Sequence, residues 1–292
     1  MSEAQTTDYI TQIVLPAVDS YKGENGRVLV IGGSKLFHAA PFWAASATAK
    51  IVDMVHFTSP AMENNDLMRV RAKGKFWDGI VIPWEEVEHY IAEDDCVLIG
   101  PGMTRAAGTE THDSRFKIYE DTKNIVDTLL RKFPDKRWVV DGGALQEVDV
   151  KLLNKNMIVT PNVRELEIVA QKAGFTIQDS RFISDRKGVV AELAGKLGEV
   201  TILAKGPVDV VTNGTETEQI AGGNPGMTKG GTGDVLAGIV AGLYAKSPAM
   251  AAAVVAARAN KAAGDALHMK QGIFFGASDL LSGVSQALAQ LL

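Results

Sequence analysis

The chain contains a single cysteine, Cys96, among 292 residues, which excludes an internal disulfide framework and any multi-cysteine metal centre. That cysteine opens the apolar run Cys96-Val97-Leu98-Ile99, so its thiol is expected in buried packing. Histidine is scarce too: His38, His56, His89, His112 and His268 show no metal-ligand spacing. No stretch of 18 apolar residues occurs, and the segment Met1 to Asp8 is polar with no apolar signal core. A membrane partner is therefore not expected, and the location expected is the cytoplasm. With 30 Lys and Arg against 35 Asp and Glu, a net charge of -5, the chain offers no basic surface for nucleic acid. Linkers rich in Ser, Pro or acid, internal repeats and low-complexity tracts are all missing. One domain over residues 26–292, preceded by a short extension at residues 1–25, is the expected organisation.

What the chain does have is a regular alternation. Arg27-Val-Leu-Val-Ile31 reads as a buried strand, followed by Gly32-Gly33-Ser34 and an alanine-rich helix from His38 to Val52, then a strand at Met54 to Thr58. Strand, glycine turn, helix, strand is a βαβ unit. Further strands are expected at Gly79 to Ile82, Asp95 to Ile99, Arg137 to Val140, Met157 to Val159, Val200 to Ala204 and Asp209 to Thr212. Helices are expected at Thr7 to Leu15, Trp84 to Ile91, Arg115 to Phe133, Val163 to Lys172, Arg181 to Leu197, Val235 to Ala245, Pro248 to Met269 and Ala277 to Leu291. The fold class is α/β, a central mainly parallel sheet with helices on both faces. In such sheets ligands lie beyond the carboxyl ends of the strands. The turns Gly32-Gly33, Gly100 to Gly102, Asp141 to Gly143, Thr160 to Asn162 and Lys205-Gly206 would share that rim.

The most informative stretch is Gly222 to Gly238. Its first half, Gly222-Gly-Asn-Pro-Gly-Met-Thr-Lys-Gly-Gly-Thr-Gly233, suits neither a strand nor a helix interior. Its second half places Val235, Leu236, Ile239, Val240 and Leu243 at helical spacing. A glycine loop running into a helix start exposes backbone N–H groups and a positive dipole end, a site for an anion. Asp234 stands at its mouth. A carboxylate there fits a base that takes a proton from a hydroxyl while the helix end steadies a moving phosphoryl group. An acidic residue merely favouring the helix dipole is the plainer reading of a lone Asp, and the Gly-Gly-Thr-Gly run before it argues for the base.

Gly231-Thr-Gly-Asp234 before an apolar helix resembles the anion-hole motif of the ribokinase-like superfamily. The longer string Gly223 to Gly238 resembles more specifically that of the ADP- or ATP-dependent NAD(P)H-hydrate dehydratases. Val30-Ile-Gly-Gly-Ser34, Ile99-Gly-Pro-Gly102, Val140-Asp-Gly-Gly-Ala144, Thr160-Pro161 with Glu165, and Leu203-Ala-Lys-Gly206 match in the family's order. The resemblance implies repair of damaged nicotinamide cofactor. ADP or ATP, with magnesium, phosphorylates the ring hydroxyl of the (S) form of hydrated NADH or NADPH, and phosphate then leaves to restore the double bond. Asp234 is implied as catalytic base. Lys205, Gly206, Pro207, Val208 and Asp209, with Asn224, Gly230, Gly231, Thr232 and Gly233, are implied on the nucleotide side. Ala40, Gly102, Asn162 and Asp234 are implied against the hydrate. A homotetramer and a separate epimerase acting on the (R) hydrate are further implications.

Two stretches depart from the family pattern: Asn162 stands where histidine is usual, and Lys35-Leu-Phe-His38 where small residues are usual. Thr160-Pro-Asn-Val-Arg-Glu165 looks instead like the Asn and Glu pattern of superfamily kinases, which organises magnesium and its waters. Glu165 is therefore a metal residue acting through water, the partner of Asn162 in a helix cap, or both, since the two roles can coexist. Lys205 is either a surface turn lysine or a nucleotide contact, and Asp141 either a turn former or a water-mediated magnesium residue. Phe42 and Trp43 are expected in the core or at a subunit contact. The rival functions are a superfamily kinase for a vitamin precursor, of hydroxymethylpyrimidine or hydroxyethylthiazole type, and a non-catalytic nucleotide-binding regulator.

Overall fold

The computed structural model describes residues 9–74, 78–105, 121–175 and 185–292. Among these residues nine strands form one sheet: β1 (Arg27–Ile31), β2 (Met54–Thr58), β3 (Ile80–Val81), β4 (Cys96–Ile99), β5 (Arg137–Val140), β6 (Met157–Val159), β7 (Thr201–Ala204), β8 (Asp209–Thr212) and β9 (Thr217–Ile220). Their order is β3-β2-β1-β4-β5-β6-β7-β8-β9. Pairing is parallel from β3 to β7 and antiparallel from β7 through β8 to β9. This is the mainly parallel sheet the alternation predicts. The edge strand β9 is an addition, since Thr217-Glu-Gln-Ile220 is too polar to stand out as a strand.

Alternate strand residues feed two cores, as the two-residue period of a strand requires. Val28, Val30, Leu98, Val139, Ile158 and Leu203 face one layer. That layer contains helices α1 (Ala39–Thr48), α2 (Met62–Gly74), α8 (Thr232–Tyr244), α9 (Ala249–Gln271) and α10 (Ala277–Leu291). Leu29, Ile31, Val97, Ile99, Val140 and Val159 face the other. There lie α3 (Val87–Glu93), α4 (Thr122–Lys132), α5 (Gly142–Glu147), α6 (Val163–Lys172) and α7 (Arg186–Lys196). Cys96 is fully buried, as expected. Burial on both faces is why the central strands read as continuous apolar runs.

Small residues decide how closely α1 and α8 approach. A side-chain carbon on Gly238 would lie 2.2 Å from the Ala44 carbonyl oxygen. The Thr48 hydroxyl lies 3.0 Å from both the Ala44 and Gly238 carbonyls. Contacts run in register, Trp43 to Gly231, Ala44 to Gly238 and Ile51 to Gly242, so the two helices are parallel and start at the same end of the sheet.

Several elements differ from expectation. The alanine-rich helix ends at Thr48 rather than Val52. Helix α2 was not expected because Glu63-Asn-Asn-Asp66 carries no apolar stripe; Asn65 fixes its start through both Ser59 backbone groups, at 2.9 Å each. The Asp141-Gly142-Gly143 turn continues into the short α5, and Trp84 to Glu86 forms a 3-10 turn ahead of α3. At the N-terminus helix covers residues 9–11. The expected helix beginnings at Thr7, Arg115 and Arg181, together with His112, lie outside the described residues. Among the described residues no helix is long and apolar enough to cross a membrane.

Candidate active site

Parallel strands deliver their carboxyl ends to one rim, and hydrogen bonds there tie successive turns together. The Gly33 amide donates to the Pro101 carbonyl at 2.8 Å, and the Lys205 amide to the Pro161 carbonyl at 2.8 Å. Gly100, at φ +122°, lets its backbone close on Asp141: a side-chain carbon there would lie 1.8 Å from the Asp141 carbonyl oxygen. The Thr160 hydroxyl donates to Asp141 Oδ1 at 2.6 Å. The five turns read from the sequence are thus neighbours.

The glycine loop reaches the same rim already folded. Asn224 Oδ1 accepts from the Gly226 amide at 3.0 Å, while its Nδ2 donates to the Gly264 carbonyl at 2.9 Å and Asp265 Oδ1 at 3.1 Å. Asn224 therefore fixes the loop onto α9. Lys229 Nζ donates to the Ile273 and Phe275 carbonyls, and the Thr232 hydroxyl lies within 2.8 Å of the Met227 and Lys229 carbonyls. Thr232 thus closes the loop on itself, while Lys229 ties it to the segment between α9 and α10. Gly231 caps α8 at φ +96°, a left-handed conformation suited to glycine, with no side-chain cap on the helix. Gly230 is exposed with open space around it, and Gly233 and Asp234 lie in the first turn of α8.

Asp234 does not stand alone there. A side-chain carbon on Gly233 would lie 3.3 Å from Lys205 Nζ, so the ammonium rests against the first turn of α8. Lys205 Nζ donates to Asp141 Oδ1 at 3.0 Å and lies 3.9 Å from Glu165 Oε2. Burial pushes the Asp234 carboxyl up, the Asp141 charge adds to it, and the Lys205 ammonium pulls the other way; the outcome is about 7. Burial also raises Glu165 above the usual carboxylate range against the pull of Lys205. Lys205 is held above its ordinary value: burial opposes its charge, and Asp141, Glu165 and Asp234 outweigh that. The cluster thus holds a proton acceptor near neutrality beside a fixed cation.

The capping alternative for Glu165 is realised. The Asn162 amide donates to Glu165 Oε2 at 2.9 Å, and the Glu165 amide to Asn162 Oδ1 at 3.1 Å. Gln146 Nε2 donates to the other Glu165 oxygen at 3.1 Å. Asp141 is more than a turn former, since it is the close partner of Lys205. Among the described residues no group of three or more His, Cys, Asp or Glu is placed to hold a metal ion.

The turn from Lys205 to Asp209 is built from beneath. Asp209 Oδ1 accepts from the Gly206 amide at 2.7 Å, and Arg186 donates to the Ala204, Lys205 and Val208 carbonyls. Pro207 and Val208 are exposed at its tip. Lys261 of α9 was not singled out in the sequence. Its buried Nζ donates to the carbonyls of Gly206 at 3.2 Å, Pro207 at 3.1 Å and Gly222 at 2.9 Å, with Asp209 Oδ2 3.6 Å away. It joins this turn to the entry of the glycine loop. The available signal was its spacing from Val254 and Ala257, which puts a lysine on the apolar face of α9. On the other side Gly102, at φ +72°, faces Ala40: a side-chain carbon on Gly102 would lie 3.1 Å from the Ala40 methyl. Trp43 packs against Gly231 and donates to Ser278 Oγ at 3.1 Å; Phe42 lies under the Arg71 guanidinium, 3.7 Å from it.

A glycine loop, a helix start and a basic carboxyl at the carboxyl rim of this sheet define a ribokinase-like α/β protein. A likeness in fold supports that: a Bacillus subtilis ADP/ATP-dependent NAD(P)H-hydrate dehydratase, crystallised with ATP/Mg2+, superposes with a TM-score of 0.74 at 17% identity, covering 98% of this chain and 97% of that one. The family model for NAD(P)H-hydrate dehydratase matches residues 28–286, and the chain belongs to that family. It is 33% identical over 274 residues to an ADP-dependent (S)-NAD(P)H-hydrate dehydratase of Nitrosopumilus maritimus, covering 92% of this chain and 90% of the relative. It is 30% identical over 279 residues to a bifunctional NAD(P)H-hydrate repair enzyme of Methanocaldococcus jannaschii, covering 92% of this chain and 49% of the relative. Of that relative and of a similar bifunctional protein from Pyrobaculum aerophilum the chain spans about half the length.

Proposed function

We propose that this chain dehydrates the (S) form of hydrated NADH or NADPH at the expense of ADP or ATP, regenerating the reduced cofactor. The observation that carries the reading is the placement of Asp234: a carboxyl held near 7, in the first turn of α8, beside the Lys205 ammonium. At neutral pH it can accept the proton of the ring hydroxyl. The hydroxyl oxygen bonds to the terminal phosphorus of the nucleotide as the bond to its leaving phosphate breaks. The N–H groups at the start of α8 and the Lys205 charge meet the developing negative charge. Hydroxide is a poor leaving group and phosphate a good one. Its departure, with loss of a proton from the adjacent ring carbon, restores the double bond.

The nucleotide lies along Lys205 to Asp209 and the Gly230 to Gly233 loop, with Asn224 holding the loop's shape. The hydrate lies on the side of Ala40, Gly102 and Asn162. Magnesium comes as part of the nucleotide substrate, with Glu165 reaching its waters. The homotetramer, the cytoplasmic setting and an epimerase supplying the (S) form belong to the same proposal. The kinase reading gains no separate support, because Asp234 and the glycine loop serve both alike while the family match is to the dehydratases.

The test follows absorbance in the reduced-nicotinamide band with (S)-NADH hydrate, magnesium and either ADP or ATP, for the wild type and Asp234→Asn. A rise that needs both nucleotide and Asp234 supports the reading and ranks the donors. No rise with either donor, in a protein that still binds nucleotide, overturns it.

A further inference from the structure

Lysine is a flexible choice for a fixed charge, because its four-carbon stem carries about 2 kcal/mol of rotamer entropy that must be overcome to hold the ammonium in place. Lys205 therefore needs a rigid partner, and the rim supplies one. Asp141 is buried, 3% exposed, with its amide donating to the Ile99 carbonyl at 3.0 Å. Gly100 packs directly against its backbone. Its Oδ1 accepts from Thr160 at 2.6 Å and from Lys205 at 3.0 Å. Glu165 is a poorer anchor: Gln146 and the Asn162 amide already donate to its oxygens, and it stands 3.9 Å from the ammonium. The other side of the ammonium meets Gly233, where a side-chain carbon would approach to 3.3 Å.

We propose that Asp141 is a positioning residue for phosphoryl transfer: with Thr160 it pins the Lys205 ammonium over the first turn of α8, next to Asp234. This rests on the reading of Asp234 as the base for the hydroxyl that is phosphorylated. Asp141 does not itself touch the reacting atoms. It acts through Lys205, whose charge faces the phosphoryl group as that group leaves the nucleotide. A lysine released from Asp141 would sample other rotamers or turn to Glu165, and the cation would be lost from the transfer point.

The experiment compares the full chain with Asp141→Asn, Lys205→Met, the double variant and the milder Thr160→Val, each checked by its melting curve. Loss of a preorganised charge at the transfer point costs on the order of 10²-fold in kcat, the result expected for Lys205→Met. Asp141→Asn weakens one charge-assisted hydrogen bond and is expected to cost about tenfold in kcat, with the KM for the hydrate nearly unchanged. The double variant is expected to be no worse than Lys205→Met alone, because both remove the same interaction. Thr160→Val is expected to move kcat in the same direction by less. If Asp141→Asn keeps most of kcat, or the two losses multiply in the double variant, the proposal is overturned. Calorimetric titration with ADP and with AMP gives a readout independent of the hydrate. Asp141→Asn and Lys205→Met should weaken ADP non-additively and leave AMP alone. Should the wild type fail to turn over the hydrate, the proposed reaction falls, and unchanged ADP affinity in these variants would separately sink the positioning role.

Discussion

Asp234 should make the folded protein less stable as pH rises, and removing its charge should reverse that. An aspartate ordinarily titrates near 3.8, and burial next to Asp141 lifts this one to about 7. The native state therefore holds a proton that the unfolded chain releases between those values. Its stabilising contribution is full below the unfolded value and is lost as pH rises through the folded one. At 1.36 kcal/mol per pH unit the whole loss is roughly 4 kcal/mol, of which about 2–3 kcal/mol falls between pH 5 and pH 8.5. Asp234→Asn keeps the shape and cannot ionise. Denaturant unfolding of both proteins at pH 5 and pH 8.5 should show the variant gaining on the wild type by about that amount at the higher pH. It should be inactive at both. A stability difference that is the same at the two pH values, or one that favours the wild type at pH 8.5, would refute the claim that this carboxylate is ionised against its surroundings.

The same group sets the pH dependence of activity: kcat/KM should rise with pH and level off above about 7, since the base must be unprotonated, and a profile flat from pH 5 to pH 8 would exclude Asp234 as that base. Gly231→Ala places a carbon 2.3 Å from the Trp43 ring at φ +96°. Backbone strain of about 1–2 kcal/mol and overpacking of about 1–3 kcal/mol should appear in denaturant melts, and on Trp43→Leu the overpacking should shrink to the contact with the Ala277 methyl, 2.7 Å away, while the backbone part remains. Lys261→Met strands Asp209 and three carbonyls, and should cost about 3–5 kcal/mol by equilibrium unfolding, part of it recovered by adding Asp209→Asn. Nucleotide affinity measured by titration should fall with it, since Lys261 joins the Lys205 to Asp209 turn to Gly222.

The fold class was legible because buried parallel strands and their glycine turns leave a local pattern. The runs Arg27 to Ile31, Cys96 to Ile99 and Met157 to Val159, each ending in a small-residue turn, needed no tertiary information. The helix-start loop before Asp234 is equally local, since a glycine string cannot be absorbed into a strand or helix. Polar elements were less legible. The sequence of α2 hides its helix because asparagine hydrogen bonds to Ser59 and Ser34 hold its start, and β9 is a strand only because β8 lies beside it.

Sequence by itself determined the alternation of strands and helices, the rim on which the turns meet, and the glycine loop that runs into a helix start at Asp234. All of these follow from periodicity and backbone geometry over a few residues. Tertiary structure alone decided the electrostatics. Asp141, Glu165, Lys205 and Asp234 come from four separate segments, and their mutual charges and burial exist only once the strands lie side by side. Lys261 is a related case: its spacing places it on the apolar face of α9, but its role as a buried clamp exists only when three carbonyls from two distant loops converge on it. A charge's meaning depends on its neighbours from other segments, and those are not encoded in the spacing of residues along the chain.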